Sequence, residues 1–166
     1  LSPYNYCANN PVILVDPNGE DLEIGNNTQS SNDICSLVDK SHRDRVMIKD
    51  GVVTVNTEGL SDDALSEDAG LSLINDMSKS DKKYYYEATD EAPYVDGPTG
   101  NRSIMNLTDK NSLGVLNASK FGKNSLGNND KLPIDGFDGE VCITSTGKFS
   151  RGSRDFRKNI VFHELA

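Results

Sequence analysis

The pattern of hydrophobic and polar residues predicts a β-hairpin in the first half of the chain. Residues 45–49 and 52–56 are rich in Val, Ile and Met, and Asp50 and Gly51 lie between them. An Asp-Gly pair favours the positive backbone angles of a two-residue hairpin turn, and the flanking runs supply the two strands. We therefore predict antiparallel strands on either side of Asp50-Gly51.

Apolar residues after Ser61 predict a helix. Ser61 is a favourable N-cap residue, and two aspartates follow it in the first turn, where negative charge is stabilising. Apolar positions continue to Met77, and the helix is predicted to end near residues 79–81. Gly70 lies within this helix and weakens it, because glycine is a poor helix former.

Three further segments are predicted to be strands: residues 83–88, 112–117 and 139–146. The tyrosines of the first segment fit a half-buried pleated surface, so we interpret them as core residues. The alternative, a stacking surface for bases or sugars, is disfavoured by the acidic composition around them. Residues 93–100 and 121–136 are rich in turn-forming residues and are predicted to be loops.

The last predicted element is a helix at the end of the sequence. Ser153 is a favourable N-cap residue, and Asp155 follows it in the first turn. Apolar residues occur on nearly all sides of this helix: Phe156, Ile160, Val161, Phe162 and Leu165. A helix that is apolar all round belongs inside a domain, so we predict that it is buried.

Charge and cysteine content restrict the class of protein. The chain has 17 Lys plus Arg against 26 Asp plus Glu, a formal net charge of -9, so its surface would repel phosphate backbones and we predict no nucleic-acid partner. We find no membrane span and no signal peptide in the sequence. Cys7, Cys35 and Cys142 indicate no disulfide framework. Cys142 alternates with Val141 and Ile143 along its strand and is predicted to be a core residue on the opposite face.

The final helix also carries a metal-binding pattern. His163, Glu164, Leu165 and Ala166 are the first four residues of a His-Glu-x-x-His motif. In such a helix, two histidines four positions apart bind one zinc ion, and the glutamate reaches the metal-bound water. The alternative is that His163 and Glu164 only satisfy hydrogen bonds of the core. Because a polar pair in a buried helix needs partners, the metal is the favoured interpretation.

Together with the strand at residues 139–146, this helix resembles the zincin class of zinc metallopeptidases, in which a sheet packs beside the metal-bearing helix. The resemblance covers residues 139–166. It implies that His163 is a zinc ligand and that Glu164 is the catalytic base. The second histidine and the third ligand of the family do not occur in the sequence. We therefore expect this chain to bind zinc weakly or not at all and to be inactive, with peptidase activity in its full-length parent.

A second motif lies at the other end of the chain. Residues 2–19 contain, in order, the elements Tyr-x-Tyr, Asn-x-Pro and Asp-Pro-x-Gly. Turn chemistry alone would make this segment a β-hairpin-like fragment and nothing more. The order and spacing of the three elements resemble the C-terminal end of the core in Rhs-repeat proteins.

The resemblance to Rhs proteins implies a biological setting. In that family this segment closes a β-shell, and the sequence after it is a cargo, commonly a toxin. The chain would then be the toxin portion of a larger bacterial-type protein that is secreted or delivered to a target cell. Its partners would be the Rhs shell of the parent, an immunity protein and a protein substrate. The family also implies self-cleavage near Asp-Pro-x-Gly, which would make Asp16 catalytic, although we interpret Asp16 first as a turn residue.

These observations predict an α+β fold and three segments. Residues 1–20 are the Rhs core C-terminal segment, a short hairpin-like tail. Residues 21–43 are a polar linker, because residues 25–33 lack hydrophobic periodicity. Residues 44–166 are an incomplete zincin-like toxin domain, in which a small mixed sheet packs against the buried C-terminal helix.

Two other classes of function stay open on the sequence. One is a non-enzymatic binding or structural tip of an Rhs protein, and the other is a toxin of unrelated chemistry. The sequence contains no zinc-deaminase motif, no Gly-x-Ser-x-Gly elbow and no phosphate-binding loop. Its only histidines are His42 and His163, and we predict His42 to be a solvated surface residue, which disfavours a histidine-rich nuclease site.

Overall fold

The computed structural model describes residues 22–108, 114–118, 131–134, 136–146 and 154–166. Within these residues, strands in two sheets and four α-helices form an α+β fold, so the predicted fold class is confirmed. The Rhs-like segment at residues 1–20, with Asp16, lies outside the described residues.

The described elements follow one another along the chain. The strands are β1 (Leu22–Ile24), β2 (Val46–Lys49), β3 (Val52–Val55), β4 (Tyr84–Ala88), β5 (Glu91–Asp96), β6 (Arg102–Asn106), β7 (Gly114–Ala118), β8 (Lys131–Leu132) and β9 (Gly139–Ile143). The α-helices are α1 (Thr28–Leu37), α2 (Asp62–Glu67), α3 (Ala69–Ser78) and α4 (Arg154–Leu165), and a 3-10 helix spans Lys40–Arg45. None of the helices in the described part of the chain has the length and apolarity that crossing a membrane requires.

The larger sheet is mixed, as predicted, and has the strand order β2-β3-β1-β4-β9-β7. β1 is antiparallel to β3 and parallel to β4, while β9 is parallel to β4 and antiparallel to β7. The smaller sheet has the order β6-β5-β8. The N-terminal strand β1 therefore occupies an interior position between strands that come much later in the chain.

The predicted hairpin is confirmed. β2 and β3 pair antiparallel, with Lys49 opposite Val52. The turn residues Asp50 and Gly51 have φ angles of 53° and 84°. Two positive φ angles define the turn whose twist matches that of the flanking strands, and this is why an Asp-Gly pair occurs here.

The main core lies between the larger sheet and the helices. Ile34 of α1, Leu71 of α3 and Val161 of α4 are fully buried in one cluster with Tyr86 of β4 and Val141 of β9. The interpretation of the tyrosine strand as a core element is therefore confirmed for Tyr86. Along β9, Cys142 points to the opposite face and packs in a second, smaller cluster, so its predicted core position is also confirmed.

The prediction of a polar linker over residues 21–43 is wrong. Residues 22–43 include β1, α1 and part of the 3-10 helix, and they contribute to the main core. The physical reason is that the inner face of α1 is partly polar: Ser30 and Asp33 are buried beside Ile34 and Leu37. Ser30 Oγ accepts a hydrogen bond from the Ala88 amide, at 2.9 Å. Because polar residues with hydrogen-bond partners occupy part of the buried face, the hydrophobic residues of this segment do not repeat with the helical period. A hydrophobicity pattern therefore does not reveal the helix.

The helix predicted after Ser61 is two helices, α2 and α3, which meet at Asp68. Asp68 caps α3 by accepting a hydrogen bond from the Leu71 amide, at 3.0 Å. It also lies 3.0 Å from Nδ1 of His42, so His42 has a buried partner and is not the solvated residue that we predicted. Burial alone would raise the pKa of Asp68, but hydrogen bonds from the Leu71 amide and from His42 outweigh this effect and lower the pKa.

Two other predictions need correction. Residues 93–96 belong to β5 and were predicted to be loop. Pro93 is tolerated in this middle strand because β8 pairs only with Val95 and Asp96, further along β5. The helix α4 exists as predicted but is not buried on all sides: Val161 is fully buried, whereas Phe156 is 43% exposed. The inner side of α4 packs against α1 and β9. The predicted loop at residues 121–136 lies largely outside the described residues.

Candidate active site

His163 and Glu164 lie in the last turn of α4 and point in different directions. His163 is exposed to solvent, whereas Glu164 is half-buried. Successive helix residues are rotated by about 100° around the axis, so one side chain can face solvent while the next faces the body of the protein. The helix is continuous from Arg154 to Leu165, which is the local structure that a His-Glu-x-x-His motif requires.

A buried ion pair anchors α4 to the rest of the protein. Asp33 of α1 accepts two hydrogen bonds from Arg157, with 2.7 Å between Nε and Oδ1 and 2.6 Å between Nη2 and Oδ2. The two side chains are only 11% and 4% exposed. Nη1 of Arg157 donates to the carbonyl of Thr144, just beyond β9, at 2.7 Å. One guanidinium therefore joins α4 both to α1 and to the end of β9.

Tyr86 and Gln29 complete the shell of donors around Asp33. The Tyr86 hydroxyl donates to Oδ2 at 2.6 Å, and Nε2 of Gln29 donates to Oδ1 at 2.8 Å. Burial and the nearby Asp33 charge raise the pKa of Tyr86 far above its usual value, so the hydroxyl stays protonated. Burial alone would lower the pKa of Arg157, but its bonds to Asp33 outweigh this and raise it. The buried carboxylate is thus fully partnered, as a charge in a protein interior must be.

A cleft of about 500 Å³ opens where the end of α4 meets the first residues of β4 and β9. Glu164 lines this cleft, which we call the Glu164 cleft. Its walls are mainly apolar and include Leu73, Met77, Tyr84, Val141 and Leu165. A concave, mostly apolar pocket with a few polar groups is the usual form of a ligand site.

The polar groups of the Glu164 cleft are mainly acidic. Asp76 and Asp138 line it together with Glu164. Asp138 is held in place because its Oδ2 accepts a hydrogen bond from the Lys83 amide, at 3.1 Å, whereas Asp76 is exposed on α3. No lysine, arginine or histidine occurs among the described residues that line the cleft. The cleft should therefore have a negative potential.

The donor set at the end of α4 fits only the first part of a zinc site. His163 offers an exposed ring nitrogen, and Glu164 offers a carboxylate beside it. Within the described ranges there is no group of three or more His, Cys, Asp or Glu side chains that could hold a metal ion. A catalytic zinc site needs three protein ligands, and among the described residues the end of α4 offers one histidine.

A second group of ionisable side chains lies on the other face of the sheet. Glu140 is fully buried, and Sγ of Cys142 lies 3.7 Å from its Oε1. On the neighbouring strand, the Tyr85 hydroxyl donates to Oε2 of Glu87 at 2.9 Å. Burial, followed by the charges of Glu140 and Glu87, raises the pKa of the Cys142 thiol. The thiol is therefore protonated and unreactive at neutral pH.

Sequence reasoning proposed His163 and Glu164 as site residues and did not single out Asp33, Arg157, Asp76 or Asp138. Asp33 lay in the segment interpreted as a linker, and Asp76 looked like any charged residue on the outer face of a helix. The one available signal was Arg157, a charged residue next to Phe156 on a helix that was predicted to be buried. A buried arginine demands an acidic partner. The sequence does not say which of the 26 acidic residues it is.

Comparison of the chain with models of protein families, with curated proteins and with solved structures finds no match.

Proposed function

We propose that this chain is the C-terminal toxin portion of an Rhs-type protein, and that its full-length parent is a zinc-dependent peptidase. The observation that carries the proposal is the end of α4, where an uninterrupted helix presents His163 to solvent and Glu164 to an apolar cleft. A histidine four residues after His163 would lie on the same face of a continued helix. The Rhs-like elements of residues 2–19 support delivery as part of a larger protein.

Each residue has a defined task in this proposal. His163 would hold the metal, and a bound zinc ion would supply the Lewis acidity that activates water. The Glu164 carboxylate would take a proton from the attacking water and pass it to the leaving amine. The half-buried position of Glu164 in the cleft would bring this carboxylate next to a peptide bound there. The ion pair between Arg157 and Asp33 would keep the helix, and with it both residues, in register with the sheet.

Zinc titration by calorimetry on three chains tests the proposal. The first is the chain of 166 residues, the second has one histidine added after Ala166, and the third carries His163→Ala in the extended chain. We expect the extended chain to bind zinc at least about tenfold more tightly than the other two, because only it has two ligands on one helix face. Equal binding by all three would remove the basis of the metallopeptidase assignment and favour a non-enzymatic tip.

A further inference from the structure

We propose that the Glu164 cleft recognises the side chain of a lysine or arginine residue in a protein. The role of this contact in substrate selection rests on the proposed peptidase function. The binding itself does not, because it needs neither zinc nor catalysis.

The walls of the cleft fit the stem of such a side chain. Leu73 and Met77 of α3 lie on one side, and Tyr84, Val141 and Leu165 complete a mainly apolar lining. Lysine and arginine bury long aliphatic stems against apolar surfaces while their charged ends stay in contact with water. The aromatic ring of Tyr84 adds a surface on which a guanidinium or ammonium group is favourably placed.

The acidic groups fit the charged end. Asp76, Asp138 and Glu164 line the same cleft, and its described lining contains no basic side chain. A cation placed there gains attraction from three carboxyl groups, whereas a phosphate or an acidic side chain would be repelled. A purely apolar occupant fits less well, because it would exclude water from charged carboxyl groups.

The positions of the three acids also indicate a defined orientation. Asp138 is fixed through the Lys83 amide, next to the start of β9, while Asp76 is exposed on α3. Glu164 comes from the third element that borders the cleft. The three carboxyl groups therefore approach the cleft from three different parts of the fold.

Peptide binding to the full chain of 166 residues, followed by NMR without added zinc, tests this inference. The probes are acetyl-Ala-X-Ala-amide peptides in which X is arginine, lysine or citrulline. Citrulline has nearly the shape of arginine but no charge. We expect the arginine and lysine peptides to shift the amide signals of Tyr84 and Gly139, and the citrulline peptide to bind about fivefold more weakly.

A pair of matched variants locates the effect. Asp76→Asn removes one charge from the cleft, and Asp63→Asn removes the same charge from an exposed position on α2. We expect the affinity for the arginine peptide to fall about threefold in Asp76→Asn and to stay unchanged in Asp63→Asn. The two variants have the same net charge as each other, so an effect of the overall charge of the protein would lower the affinity in both.

The possible outcomes separate the two proposals. Equal affinity for arginine and citrulline, or no binding in the millimolar range, would overturn the recognition of a basic side chain and leave the zinc experiment unaffected. Conversely, selective peptide binding together with three identical zinc titrations would support the cleft as a binding site and overturn the proposed peptidase function. Loss of affinity in both variants would also count against the cleft, because it would show attraction by the whole acidic surface.

Discussion

At the scale of single residues, the contact between Arg157 and Asp33 has the largest expected effect on stability. Both charged groups are nearly buried, and the geometry is that of a two-bond pair between guanidinium and carboxylate. Such a pair gains little over a well-packed apolar one, but removal of one partner leaves an isolated charge in the interior. The loss of stability should therefore be large when only one of the two charged residues is removed.

We predict that Arg157→Met lowers the free energy of unfolding by about 3–5 kcal/mol. The methionine retains much of the aliphatic volume, so the loss would come from the buried Asp33 charge and from the lost bond to Thr144. Urea unfolding followed by circular dichroism measures the change. Lys158→Met is the control, since Lys158 is a neighbouring half-buried residue of the same helix. A loss below about 1 kcal/mol in Arg157→Met would contradict the assigned contact.

At the scale of elements, Gly70 sets how closely α3 approaches α1. A Cβ atom on Gly70 would lie 2.0 Å from the carbonyl oxygen of Leu37 and 2.4 Å from its carbon, which is impossible without movement of the backbone. Gly70, in the first turn of α3, therefore occupies a position at which no side chain fits. The weak helix propensity of glycine is the cost of this contact between two helices.

We predict that Gly70→Ala destabilises the protein by at least about 2 kcal/mol, although alanine is the better helix former by about 1 kcal/mol. Thermal unfolding would report the change as a lower Tm. Ser72→Ala, on the half-buried part of the same helix, should change stability by less than about 0.5 kcal/mol. A stabilised Gly70→Ala protein would mean that the two helices lie further apart.

The elements also show how far sequence reasoning extends. The hairpin at Asp50-Gly51 was predictable because its signal is local: two β-rich runs and a turn pair. α1 was missed because Ser30 and Asp33 are buried through bonds to residues of β4, which no local pattern contains. The candidate site divides in the same way. His163 and Glu164 form a local motif, whereas Asp76 and Asp138 are brought to the cleft beside Glu164 only by the fold.

At the scale of the whole molecule, β1 decides where the folded domain begins. It lies between β3 and β4, and α1 packs against α4. A boundary at residue 44, as the sequence indicated, would remove an interior strand together with Asp33, the partner of Arg157. The folded unit must therefore include residues from Leu22 onward.

We predict that a chain starting at residue 44 does not fold, whereas the chain of 166 residues does. Without β1, the edges of β3 and β4 lose their backbone partners and part of the main core is exposed. Dispersed amide signals in a proton-nitrogen NMR spectrum and a cooperative thermal transition would identify the folded chain. A folded chain without residues 22–43 would show that β1 and α1 are accessory to the domain.

The position of β1 has a further consequence for the rate of folding. Its partner β4 and the next strand β9 come from distant parts of the chain, so the centre of the sheet consists of contacts of high contact order. The hairpin of β2 and β3 can form early, but β1 acquires its second neighbour only after β4 has been synthesised, and β4 only after β9. During synthesis, most of the chain must emerge before the sheet can close. The slow step in refolding should therefore be the docking of strands across the sheet rather than the formation of any single helix.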